Sequence, residues 1–300
     1  MAKELTNDEP FPDGIRRIAG EMVDALIEIV EHEEDIEVAI HTFRKGCKEI
    51  RALLRLVRDD LGETCYQLEN AFYRDLARPF SERRDRWVFI ETIDEVLTPE
   101  DSAEHDPIVA LLQTTRNNLL ADYTQRYADR IPDSFDEVAA KLTEAKKRIA
   151  DWLIDDQGFA SIRKSIRRIY ERGRSTMAIA AAEPDAETRH KWRKLVKYLW
   201  YQLRTLRQIA PEAMESIALD WYELSSLLGV DHDLSELINA LSNDPELAGG
   251  PENIRTIEKV IIIHQEELET QIYTLAERLY LDDADSFVNR LGKYWSTAGG

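Results

Sequence analysis

The sequence predicts an all-α protein. Strong helix formers dominate its 300 residues, β-branched alternation is scarce, and apolar residues recur at spacings of three and four. That spacing places helices over 14–32, 35–61, 63–78, 82–97, 107–128 and 134–154 in the first half. In the second half it places them over 159–182, 187–209, 212–228, 231–243, 252–281 and 283–296. Their stops have a chemical cause: Gly62, Pro79, Thr98-Pro99, Ile131-Pro132, Gly158, Glu183-Pro184 and Pro211. The longest loop, Asn243 to Asn253, holds Pro245, Gly249, Gly250 and Pro251. A break at Asp155 to Gly158 divides the chain into an N-terminal segment, 1–14, and two helical bundles, 15–155 and 156–300.

Composition narrows the function. Only 12 Gly and 10 Pro occur, which excludes collagen-like and linker architectures. The longest run without charge, Pro107 to Thr115, is too short to span a bilayer, so no membrane helix is expected. The opening MAKELTNDEP lacks an apolar stretch, and the expected location is the cytoplasm. Cys47 and Cys65 are not spaced as a metal or redox pair and are expected to be reduced.

The net charge of −19 disfavours phosphate or nucleic acid only if it is evenly spread. It is not. Residues 1–40 carry −9, residues 59–162 carry −11 and residues 208–300 carry −13, whereas residues 41–58 carry +5 and residues 163–207 carry +9.

The first basic block and part of the second are copies of one helix. Around residue 50, Phe43, Cys47, Ile50, Leu54, Val57 and Leu61 form an apolar seam, flanked by a stripe of His41, Arg44, Lys48, Arg51, Arg55 and Arg58. Adding 149 turns the seam into Trp192, Val196, Leu199, Leu203 and Leu206. The same shift turns the stripe into His190, Arg193, Lys197, Trp200, Arg204 and Arg207, and Lys45 into Lys194. Core periodicity accounts for a matching seam but not for matching cations, so an internal duplication is expected. One residue out of step, Asp75-Leu76 maps onto Glu223-Leu224 at an offset of 148.

Like charges stacked at i, i+3 and i+4 destabilise a helix by a few tenths of a kcal/mol per pair, roughly 0.2–0.5. Acidic neighbours elsewhere in the fold or a bound anion must offset that repulsion. A third basic run, Arg163, Lys164, Arg167, Arg168, Arg172 and Arg174, lies between the stripes, with Gly173 allowing a close approach. Together they are expected to line one cationic cleft. A stripe about 25 Å long at 1.5 Å per residue suits an elongated polyanion.

Several motifs resemble the CHAD family, the conserved-histidine α-helical domain. They are His41, Arg44, Lys45, Lys48 and Arg51 with Leu53-Leu54-Arg55-Leu56, Arg74-Asp75-Leu76-Ala77-Arg78 and Arg83-Arg84-Asp85. In the second half they are Tyr170-Glu171-Arg172-Gly173-Arg174, His190 with Arg193, Lys194 and Lys197, Tyr201, and Leu228-Gly229 with His232-Asp233-Leu234. The resemblance implies two four-helix bundles related by a pseudo-twofold axis, a basic surface that binds inorganic polyphosphate, and association with polyphosphate granules. Relatives are often fused to a triphosphatase-type CYTH domain. No such domain is visible, so no catalytic residue and no enzymatic activity are expected. Trp200 departs from the pattern. It implies either a weaker second half-site or an indole packed beneath a neighbouring Arg.

The expected phosphate-binding set is therefore His41, Arg44, Lys45, Lys48, Arg51, Arg55, Arg74, Arg78, Arg167, Arg168, Arg174, His190, Arg193, Lys194, Lys197 and Arg204. Among cations a histidine is best read as a neutral group whose pKa is held down until an anion arrives. No cofactor or metal is expected: di-iron bundles need two Glu-x-x-His motifs, and of six histidines only His190 follows a Glu three before it. No phosphate-cradling glycine loop occurs. Nucleic acid is disfavoured, because most aromatics fall on packing seams and the acidic remainder repels long duplexes. The alternatives are a helical adaptor or scaffold docking a protein partner through its acidic N-terminal helix, Glu28 to Glu37, or its C-terminal bundle, and a metal-binding bundle.

Overall fold

The computed structural model describes residues 4–97, 106–127, 134–183 and 185–297. Among them there is no strand. The helices are α1 (Phe11–His32), α2 (Ile36–Leu56), α3 (Arg58–Ala77), α4 (Ser81–Val96), α5 (Pro107–Tyr127), α6 (Ser134–Ile149), α7 (Phe159–Ala182), α8 (Ala186–Thr205), α9 (Pro211–Asn243), α10 (Pro251–Leu279) and α11 (Ala284–Thr297). Short 3-10 turns occupy Arg78–Phe80, Arg207–Ile209 and Pro245–Ala248. The expected stops at Thr98-Pro99, Ile131-Pro132 and Pro184 lie outside the described residues.

The two stripe helices start on side-chain caps. Asp35 accepts the Glu37 and Val38 N–H groups at 2.9 and 3.1 Å, and Asp185 accepts the Thr188 N–H at 2.9 Å. Such a cap contributes about 1 kcal/mol to its helix. Two boundaries differ from those read in the sequence. α2 ends at Leu56 rather than at residue 61, whereas the stop expected at Gly62 is present: its φ of 73° and ψ of 159° are non-helical and break the helical stretch that starts at Arg58. At Gly229 the expected break is absent and α9 runs on to Asn243. One helical glycine costs only about 1 kcal/mol, and burying Leu224 and Leu228 offsets it.

The chain forms two compact units, each drawing segments from both sides of the Asp155–Gly158 break. One comprises Met1–Pro79, Ile131–Ser225 and Ala276–Gly300; the other comprises Phe80–Arg130 and Ser226–Leu275. The smaller unit packs Ile90, Ile93, Leu112 and Leu119 with Leu237, Leu241, Ile257 and Ile261. Arg83 is buried there and its Nε donates to the Tyr123 hydroxyl at 2.8 Å.

In the larger unit α1 packs on α2 and α6, α2 on α3, α7 on α8 and α11, and α2 on α8. Both seams are its core: Phe43, Cys47, Ile50, Leu54 and Val57 on one side, and Trp192, Val196, Leu199, Leu203 and Leu206 on the other, are all buried. Cys47 and Cys65 are free thiols. Burial pushes the Cys47 thiol up to about 12, so it is inert. Tyr170, Trp221, Tyr280 and Phe287 form an aromatic cluster, with Tyr170 stacked on Phe287 at 4.2 Å. Gly173 serves this cluster. A Cβ there would lie 2.2 Å from the Tyr280 hydroxyl, so the close approach expected at this glycine is made by an internal tyrosine.

Candidate functional site

The two stripe helices meet inside the larger unit. The buried Glu49 carboxylate of α2 pairs with Arg204 of α8 at 3.1 Å, and Arg55 of α2 lies over the Tyr198 ring of α8 at 4.1 Å. Between them the Gln202 Nε2 donates to the Ala52 carbonyl oxygen at 3.4 Å. Adding 149 to 49 and 55 gives 198 and 204, so the two contacts use equivalent positions of the two helices.

Beside this crossing, α3 and α7 complete a cleft of about 440 Å³. Arg55 enters it from α2, Arg58 and Tyr66 from α3, and Ser165, Arg168, Ile169, Arg172 and Thr176 from α7. Lys191, Lys194, Leu195 and Tyr198 enter from α8. Half of the lining residues are cations and none is a carboxylate. Acids stand outside the lining: Glu63 holds Arg58 at 2.7 Å, Asp59 holds Arg168 at 2.9 Å and Glu187 holds Lys191 at 2.7 Å. Arg172 and Lys194 form no ion pair with a described residue.

The remaining stripe residues divide by partner. Lys45, Arg51, Arg78 and Arg193 form no ion pair with a described residue. The Arg51 Nε donates to the neutral Asn70 side chain at 3.1 Å, and Arg44 reaches the Ala77 carbonyl at the end of α3 at 3.5 Å. Burial pushes the Arg51 guanidinium below its ordinary value, and neighbouring Arg55 and Arg74 act in the same direction. Arg74 is held by Asp75 at 2.8 Å. His41, Lys45 and Lys48 are exposed, and Lys197 is half-buried.

His190 reports the local field. Burial, then Lys194 and Arg193 on its own helix, then Lys48 on α2 lower its pKa to about 4. The imidazole is neutral at physiological pH, and cations from both stripes act on it.

Of the expected set, Arg55, Arg168 and Lys194 line this cleft, and three others have a different setting. Arg167 and Arg174 line a different groove, with Glu171, Asp283 and Asp285, and Arg167 is held by Asp285 and Glu171, each at 2.8 Å. Arg204 belongs to the α2–α8 crossing through Glu49. Its guanidinium also lies 5.4 Å above Trp200, which settles that indole beneath an Arg.

The CHAD domain family model matches residues 17–242. The chain belongs to the CHAD family. A solved relative, the crystal structure of the CHAD domain from the plant Ricinus communis, superposes with a TM-score of 0.60 at 16% identity, covering 95% of this chain and 96% of that one. At that identity the likeness is one of fold. No curated protein compared with the chain matches it.

In this CHAD chain, Arg58, Arg172 and Lys191 line the cleft although the expected phosphate-binding set omits them. Arg58 ends the first stripe and Arg172 lies in the third basic run, both of which are expected to line a cleft. Lys191, three residues before Lys194, follows from helical spacing alone. Among the described residues, no cluster of three or more His, Cys, Asp or Glu is placed to hold a metal, and no helix is long and apolar enough to cross a membrane.

Proposed function

We propose that this CHAD chain is a non-enzymatic binding module for inorganic polyphosphate, held along α2, α7 and α8. The observation that carries the reading is the cleft whose lining is half cationic and free of carboxylates, in a chain of net charge −19. Three of the cleft's six cations are paired with acids outside the lining, whereas Arg55, Arg172 and Lys194 form no ion pair with a described residue. Arg guanidinium forks and Lys point charges complement the oxygens of a phosphate chain, and each charge-assisted contact is worth roughly 1.5–3 kcal/mol. Family membership points the same way. Recruitment to polyphosphate granules is part of the proposal.

Isothermal titration with long-chain polyphosphate at graded salt tests it. Log K is expected to fall linearly with log salt, because bound phosphates release condensed counterions. No binding at low salt overturns the proposal.

Binding is also expected to take up a proton. Burial and the neighbouring cations lower the His190 pKa to about 4, and a polyanion beside it raises that value. Affinity therefore increases as pH falls from 7 to 5, within the window between the raised value and about 4, and His190→Gln flattens the profile. Titrations in buffers of different ionisation enthalpy check the uptake directly.

A further inference from the structure

We infer that the second half of the anion face carries a nucleobase platform, Trp200 with Tyr222, so that the protein takes nucleoside polyphosphates with the base stacked on it. The phosphate end of that ligand rests on the polyphosphate reading above; the base does not.

The inference starts from a paired replacement. Arg51 maps onto Trp200 at the offset of 149, and Arg74 maps onto Tyr222 at the offset of 148 that also relates Asp75-Leu76 to Glu223-Leu224. In the first half these two positions hold neighbouring cations, and the Arg74 charge acts to lower the pKa of the Arg51 guanidinium. In the second half they hold two aromatic rings in contact, with centroids 4.9 Å apart. A cation pair has become an aromatic pair at the equivalent place.

The pair is not core. Tyr222 is 47% exposed, and Leu219, one turn earlier on the same face of α9, is 56% exposed. Trp200 is half-buried and rests against Tyr201 at 4.4 Å, with Arg204 above it. Arg204 is itself fixed by Glu49, so the indole is held in place before any ligand arrives.

Cations stand next to the platform. Lys197 and Arg193 precede Trp200 by three and seven residues on one stripe of α8, about 4.5 and 10.5 Å along the helix axis. Arg193 forms no ion pair with a described residue. An aromatic face offers a bare phosphate nothing, whereas any base can stack on it. One aromatic pair serves one base, and the acidic remainder of the chain opposes a long strand, so the ligand class is the mononucleotide with a phosphate tail.

The test compares ATP with inorganic tripolyphosphate, which matches its phosphate count and lacks the base, by titration without divalent metal at matched ionic strength. Wild type is expected to bind ATP about tenfold more tightly, the lower part of the range for stacking one base. Trp200→Leu and Tyr222→Leu each remove that preference and leave tripolyphosphate affinity unchanged, while Tyr222→Phe retains it. Tyr222 is exposed, so its variants keep the fold. Equal affinities in wild type, or a preference that survives both leucine substitutions, overturn the inference. If long-chain polyphosphate and tripolyphosphate bind but ATP shows no advantage, only the base platform falls. If none of the three binds, the polyphosphate reading falls with it.

Discussion

Replacing Lys45 and Lys194 together by glutamate is expected to weaken long-chain polyphosphate binding by about 100-fold or more at near-physiological salt. The two lysines are related by the sequence offset of 149, one beside each cationic stripe. Both are exposed and neither is ion-paired to a described residue, so their reversal removes no interaction that the fold uses. Each loses a charge-assisted contact worth roughly 1.5–3 kcal/mol and adds a repulsion. Titration calorimetry reads the affinity, and thermal unfolding confirms an unchanged fold. An affinity within threefold of wild type would place the phosphate chain elsewhere.

Arg148→Met is expected to destabilise the protein by about 2–3 kcal/mol at pH 7, because breaking a fully buried ion pair from one side costs about 3–5 kcal/mol and the 36% exposure of the Arg148 side chain lowers that by solvent screening. The Glu69 side chain is 3% exposed and accepts two bonds from Arg148, at 2.7 and 3.0 Å. Methionine keeps an unbranched apolar side chain and removes the guanidinium, which also lies 4.7 Å over the Phe72 ring, so the loss reports the charge together with its ring contact. Urea unfolding at pH 7 measures the loss, and adding Glu69→Gln should restore most of the stability. A loss below about 1 kcal/mol would mean that Glu69 reaches water.

Both seams were legible because helical packing is written locally. A 4-3-4 spacing of Phe43, Cys47, Ile50 and Leu54 states which face is buried before any partner is known. The cationic stripes were legible for the same reason, and comparing them across the offset of 149 exposed what neither shows alone. Pairing across the fold was not legible. Nothing near Arg204 in the chain announces Glu49, and nothing near Arg167 announces Asp285. Those partners are set by helix crossing, which periodicity does not encode, and they divide the basic residues between binding and holding. Gly173 shows the same limit. Its need for space was plain, but the occupant of that space, Tyr280, lies more than a hundred residues away.

The crossing of α2 and α8 also dictates an order of assembly. The Gln202–Ala52 bond joins residues 150 positions apart, and closing a loop of that length carries about 4 kcal/mol of length-dependent entropy. At ribosomal elongation rates of about 5–20 residues per second, α2 leaves the ribosome roughly 10–30 s before α8. Throughout that interval the nascent chain displays one cationic stripe without the helix that crosses it. The anion site is thus a late product of synthesis, and a chain truncated before α8 keeps four of the six cleft cations but lacks Lys191, Lys194 and the wall of the cleft that α8 supplies.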